Sequence, residues 1–282
     1  MMKTDSKWYK PKLARPLVWS DRHNRIIVIL AFAAFPIAFI LRYFFQNAEL
    51  YSALWIAAGA PVAVFMTWAI GRESDPGRPL SALIAALASL VAWFFFSNPD
   101  FILLVLVLMC LRIVGRPTGL GASLPESVFT LLLAAWLCWS GYVFAGAVAG
   151  LAFWLDARLP DRKSYHYLFA LLAIVACIAA SLSIVEVTVL LGEVQLYFLA
   201  VSVLLIIPSI MFYQGYVVQA DNGTMVPTIR TMVVIGLTWL FLAAGAVTYS
   251  NVGLESSYPV LCVLFGMGIL NTVSLKRAKT QS

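Results

Sequence analysis

The chain has 282 residues, of which 62% are hydrophobic and only 11% charged, and its mean hydropathy is +0.91. A water-soluble domain carries about 25% charged residues and needs a polar exterior, so this composition excludes a soluble globular fold. The net charge of +6 does not mark a nucleic-acid binder either, because the basic residues lie in short loops beside apolar runs and make no basic face with stacking aromatics.

The first 25 residues form a basic tail carrying Lys3, Lys7, Lys10, Lys12, Arg15, Arg22 and Arg25. With Trp8, Tyr9 and Trp19 it suits either an anionic leaflet surface or a plain positive-inside anchor. The apolar run that follows, Ile26–Phe45, is long enough to span and ends without a small-residue cleavage site. It therefore reads as a retained first helix rather than a cleaved signal.

A helix needs about 20 apolar residues to cross a hydrocarbon core of about 30 Å. Further runs follow at Tyr51–Ile70, Leu80–Phe96, Phe101–Gly115, Leu120–Trp139, Gly141–Leu155, Tyr165–Val185, Val194–Val217, Thr231–Tyr249 and Ser257–Ser274. None alternates in polarity as a β-barrel strand does, and bare backbone is forbidden in lipid, so each is expected to be helical. The expected fold is an all-α polytopic membrane protein with about ten transmembrane helices. The bundle spans residues 26–274, and 275–282 form a short cytoplasmic tail.

On this count every Lys and Arg but Arg42, of 19 in all, falls in the tails or in alternate loops. Glu49, Asp100, Glu186, Glu193 and Glu255 occupy the opposite loops. That asymmetry predicts N-in, C-in orientation in a cell (inner or plasma) membrane. The segment 120–155 is the exception to a simple reading. A turn at Ser140-Gly141-Tyr142 makes it two crossings or a re-entrant hairpin, since Gly141–Leu155 spans only ~22 Å; a single tilted helix would invert everything downstream.

Candidate chemistry gathers in the cytoplasmic loops: Arg72 and Asp75 in the first, Arg112, Arg116 and Glu126 around the second, Asp156 and Arg158 in the third. Guanidiniums match phosphate or carboxylate geometry, and neighbouring carboxylates hold cations. If the loops converge, these seven residues would bind a small molecule or an anionic lipid; if not, they are solvated loops. Arg112 and Glu126 lie deeper than loop residues need to, which predicts an Arg112–Glu126 pair or, alternatively, Arg112–Asp156. Pro36, Pro61 and Pro208 are expected to kink helices, and the glycines of 146–150 and 266–268 to allow close helix approach.

Cys110, Cys138, Cys177 and Cys262 lie in apolar runs with no CxxC and no histidine at metal spacing. No metal and no cofactor is implied. His23 and His166 flank helices and read as spectators, and Asn222-Gly223-Thr224 as a chance glycosylation triplet. Hydrolase, metalloprotease, Walker and aspartate-rich prenyl-diphosphate motifs are missing. Ten helices in this length is similar in count to drug/metabolite transporters, with no diagnostic motif behind the likeness. The leading expectation is a permease or exporter for a small or amphipathic solute. The alternatives are a membrane-embedded enzyme on a lipid phosphate and a non-catalytic subunit or assembly factor. Membrane lipid is the expected partner, with an oligomer or a partner subunit left open.

Overall fold

A computed structural model describes residues 17–96, 98–183, 193–211, 218–248 and 251–280. Most of the basic tail, and the segment holding Glu186, lie outside them. In chain order the elements are α1 (Arg22–Ile40), continued by a π-helical turn (Leu41–Phe45), α2 (Leu50–Ala57), α3 (Gly59–Ser74), α4 (Pro79–Phe96), α5 (Phe101–Gly115) and α6 (Leu124–Trp139). Then come α7 (Phe144–Arg158), α8 (His166–Ser183), α9 (Glu193–Met211), strands β1 (Val218–Gln219) and β2 (Met225–Val226), α10 (Thr228–Thr248) and α11 (Asn251–Thr280).

Five spans are long and apolar enough to cross a membrane: Arg22–Phe45, Leu50–Ser74, Pro79–Phe96, His166–Ser183 and Thr228–Ala246. Shorter apolar helices, Phe101–Gly115 and Leu124–Trp139 among them, pack between these. The burial pattern is that of a protein solvated by hydrocarbon. Large side chains point outward, with Phe32 77% and Leu182 82% exposed, while Ala34, Ala60, Ala63, Ala82, Ala85, Ala149 and Ala152 fill the interior. Where lipid is as apolar as the core, helices associate through small residues and buried hydrogen bonds. Two such bonds tie α3 to its neighbours, Thr67 Oγ1 to Ser89 Oγ of α4 at 2.9 Å and Ser74 Oγ to Thr238 Oγ1 of α10 at 2.9 Å. Gly266 of α11 lies so close to α4 that a Cβ there would stand 2.3 Å from the Ser81 carbonyl oxygen.

The expected helices are present wherever the chain is described, with two corrections. Segment 120–155 breaks where the turn was expected: α6 and α7 form a hairpin closed by Gly141 at φ 105°, a conformation that suits glycine. Pro61 does not kink the middle of a helix. The span breaks at Ala58, and Pro61 falls in the first turn of α3, where a missing N–H costs nothing. Pro36 does lie inside α1, and Pro259, in α11, is a further one. The fold is also not purely helical, since β1 and β2 pair antiparallel with Val218 opposite Val226 and Gln219 opposite Met225. Asn222-Gly223-Thr224 forms that hairpin's turn, where Gly223 is at φ 85° and Asn222 Oδ1 accepts from the Thr224 N–H and hydroxyl.

One end of the bundle gathers the charged helix termini. The start of α1, the ends of α3, α5 and α7, and the starts of α8 and α10 are joined there by ion pairs. The opposite end holds Arg42, whose guanidinium sits 5.1 Å from the Trp93 ring.

Candidate functional site

At the charged end, a cavity of about 630 Å³ opens between α1, α3, α5 and the β-hairpin. Phe65, Trp68 and Ala69 of α3 and Leu108 of α5 form an apolar wall, with Leu17 and Val18 at the α1 side. These residues recur at helical spacing, so the face of α3 that carries Phe65, Trp68 and Ala69 also delivers Arg72 one turn further on.

Its polar part is a row of paired charges. Asp21 caps the N-terminus of α1, accepting from the His23 backbone N–H at 2.8 Å, and stands 3.6 Å from Arg72. Burial pushes the Asp21 carboxyl up, but the His23 hydrogen bonds and the Arg72 charge outweigh it, and the net shift is downward. Arg72 also lies over the Trp68 ring at 5.5 Å. Arg112 donates Nε to Glu73 Oε1 at 3.0 Å. Trp68 is only 6% exposed, yet its indole N–H lacks a hydrogen-bond partner among the described residues. A buried donor left unmet costs free energy unless something else accepts from it.

Arg72 and Glu73 border a second, smaller space of about 190 Å³, whose other walls include Gly115, Pro117, Thr231 and Val234. The β-hairpin covers both. Val218, Gln219 and Val226 face the small chamber and Asp221 the large one, and the Asp221 N–H bonds the Pro117 carbonyl at 3.0 Å. Gly119 lies below it at φ 76°, a conformation in which an L side chain would be strained.

The remaining candidates do not join this cavity. Asp156, fully buried, accepts from Arg116 through Nε at 3.0 Å and Nη2 at 2.9 Å, from Arg230 Nη1 at 2.9 Å and from His166 Nδ1 at 2.8 Å. Arg116 reaches the Asp161 carbonyl as well, and Arg230 the carbonyls of Val114 and Pro160. His166 Nε2 lies 2.9 Å from Ser127 Oγ.

The order Ser127–His166–Asp156 has the hydrogen-bond sequence of a hydrolase triad, but two things disqualify it as a nucleophile. The Ser127 hydroxyl is fully buried, and the carboxylate that would raise the basicity of the imidazole is already engaged by two guanidiniums. Its single hydroxyl proton serves either His166 Nε2 or the Ser123 carbonyl at 3.0 Å, so the contact is satisfied with the imidazole neutral or charged. The network ties together α5, α6, α7, α8 and α10.

Glu126 is not the partner of Arg112, and neither is Asp156. Glu126 closes a capping box at the start of α6, accepting from the Ser123 N–H at 2.8 Å and hydroxyl at 2.7 Å. Asp75 caps the end of α3 and pairs with Arg78 at 3.0 Å; burial pushes its carboxyl up, against the pull of Arg78. Arg158 is exposed, 5.3 Å from the Trp154 ring. Of the seven residues expected to converge, Arg72 and Arg112 line the cavity, Arg116 and Asp156 are locked together in the interior, and Asp75, Glu126 and Arg158 lie apart from both.

His166 is no spectator, and Arg230, Glu73, Asp21, Asp221 and Trp68 are site or network residues that sequence reasoning passed over. A signal existed for one of them: Arg230 is an isolated charge at the threshold of an apolar run. Among the described residues no three His, Cys, Asp or Glu side chains form a metal-holding group. No family model matches the chain, and neither curated proteins nor solved structures give a match.

Proposed function

We propose that this chain is a multi-pass permease or exporter for a small amphipathic solute, and that the 630 Å³ cavity is its cytoplasmic entrance. The observation that carries this reading is the cavity's composition. An apolar wall of Phe65, Trp68 and Leu108 faces the ion pairs Asp21–Arg72 and Glu73–Arg112, within the range of about 300–1,000 Å³ usual for small-molecule sites. Ionisable side chains that face a cavity within a helix bundle, rather than the surrounding lipid, point to a ligand path. The orientation that goes with it is N-in and C-in, in the inner or plasma membrane, with lipid around the outward-facing Phe and Leu side chains.

The two alternative classes draw less support. An enzyme on a lipid phosphate would need Arg116 and Asp156 available to substrate, and each is engaged with the other in a closed interior. A non-catalytic subunit gives no reason for a cavity bordered by the unmet Trp68 indole N–H.

The test is reconstitution of the full chain into liposomes with entrapped amphipathic solutes, and measurement of their passage against protein-free vesicles. Passage above the blank, reduced by Arg112→Ala and untouched by Arg158→Ala, is the expected result. No passage of any solute would overturn the reading. Reporter fusions after Asp75, Pro160 and Thr280 should all report the cytoplasm.

A further inference from the structure

Resting on the reading of the cavity as the solute's entrance, we infer that its ligand is an uncharged amphiphile, an alkyl chain whose polar end carries a hydrogen-bond-accepting oxygen such as a ketone, ether or hydroxyl. The polarity of the cavity changes with depth. α3 and α5 both end at the charged rim, so earlier residues on each helix lie deeper. On α3, Arg72 and Glu73 give way one turn in to Trp68 and Ala69, and a turn further to Phe65. On α5, Arg112 gives way to Leu108. Ion pairs stand at the mouth, an indole N–H marks the middle, and hydrocarbon lines the floor.

The mouth makes no demand for a charged ligand. Asp21 stands 3.6 Å from Arg72, Glu73 accepts from Arg112 at 3.0 Å, and the Asn24 amide donates to the Val18 carbonyl at 3.1 Å. Asp221 is engaged as well. A charged head would have to take a partner from one of these groups or lie between apolar walls without one, and an unpaired charge there is costly. Trp68 is in a different position. It is 6% exposed, and nothing among the described residues accepts from its N–H. Its ring packs against both the Phe65 ring, at 5.6 Å, and the Arg72 guanidinium, at 5.5 Å. One neutral oxygen meets the Trp68 donor and leaves every ion pair intact. The attached chain then lies against Phe65 and Leu108. Arg72 and Phe65 are two turns apart on α3, about 10 Å, which is the length of an octyl chain.

Such a ligand can arrive dissolved from the cytoplasm or laterally from the leaflet, and chain length separates the two sources. The experiment uses the full chain in phosphatidylcholine nanodiscs, free of detergent, and a diazirine-bearing octanol that labels its site on illumination. Adducts should map to peptides that carry Phe65, Trp68 or Leu108. The competitors, compared at matched bilayer concentrations, are 2-octanone, octane, octanoate and octyltrimethylammonium. 2-Octanone should suppress labelling at concentrations about tenfold or more below those of the other three. Trp68→Phe keeps an aromatic ring and removes the donor, so it should bring 2-octanone level with octane. Arg158→Ala, remote from the cavity, should leave the order of competitors unchanged.

Suppression by 2-octadecanone, which stays in the bilayer, would support the inference and assign a leaflet source; suppression by 2-octanone alone would support it and assign a soluble one. Octanoate or octyltrimethylammonium matching 2-octanone would overturn it. So would octane matching 2-octanone in the wild type, a ketone preference that survives Trp68→Phe, or adducts confined to lipid-facing side chains. The permease reading fails separately. Ketone-selective labelling without passage in liposomes would sink transport and leave the ligand class standing, while passage of solutes with no preference for a neutral oxygen would do the reverse.

Discussion

Arg116 meets Asp156 through two hydrogen bonds of 3.0 and 2.9 Å while its own backbone sits in the left-handed region at φ 51°. That conformation ends α5 and is normally taken by glycine; a side chain there costs on the order of 1 kcal/mol. An arginine is kept where glycine would be easier because the left-handed cap turns the guanidinium away from the α5 axis and onto α7. The strain at the cap and the ion pair are one arrangement.

Replacing Asp156 with Asn should therefore be severe. It leaves the Arg116 and Arg230 guanidiniums buried without a counter-charge, a loss of about 3–5 kcal/mol. Thermal unfolding in detergent should show a large fall in midpoint, with Asp156→Glu recovering part of it. An unchanged midpoint would mean the network does not hold the helices together.

Gly266→Ala should destabilise the packing of α11 on α4, because the new Cβ would lie 2.3 Å from a backbone oxygen that cannot swing aside. Overpacking of this kind costs about 1–3 kcal/mol. Gly236→Ala is the control. Nothing stands within 4 Å of its Cβ, and in a helix Ala is favoured over Gly by about 1 kcal/mol. The two variants should move the unfolding midpoint in opposite directions.

The capping box at the start of α6 predicts that Ser123→Ala lowers stability by about 1 kcal/mol. Because neither Ser123 nor Glu126 lines the cavity, solute passage into liposomes should be unaltered. A loss of passage without a loss of stability would put Glu126 back among the candidate binding residues.

Asp75 should make stability depend on pH with a defined sign. Burial raises its carboxyl above the ordinary 3.8, Arg78 opposing, so the folded protein holds this proton more tightly than the unfolded chain. Ionisation then costs stability as pH rises from 3.8 through the raised value. Asp75→Asn never ionises, so its midpoint minus that of the wild type should grow between about pH 3 and about pH 7. A difference that shrinks across that range would show the Arg78 pair to be dominant.

Ser127 should resist a serine-directed fluorophosphonate in the folded protein, since its hydroxyl is enclosed and its histidine leans on a carboxylate shared with two arginines. Stoichiometric labelling, detected by intact mass and abolished by Ser127→Ala, would make the Ser127–His166–Asp156 row catalytic after all.

The helices were legible because hydrocarbon demands long apolar runs, and the hairpin at Gly141 because only a turn explains Ser-Gly between two tryptophan-flanked stretches. The convergence of the loop charges was not legible. Arg112 and Arg116 are four residues apart, which on a regular helix puts them on one face. The left-handed cap at Arg116 breaks that rule and sends the two side chains to different helices, Arg112 to Glu73 of α3 and Arg116 to Asp156 of α7. Pairing in a bundle also depends on which helices are neighbours. Hydropathy says nothing of that, so Arg230, separated from Asp156 by 74 positions in the chain, could not be connected to it. Trp68 escaped notice because a lone tryptophan in an apolar run looks like any other packing residue.

Arg72 and Glu73 are consecutive in the last turn of α3, and each borders both the large and the small chamber. Any twist of that turn carries the two side chains round together and so alters both compartments at once. Space gained on one side of the partition is surrendered on the other, as with an airlock whose inner and outer doors hang from a common spindle.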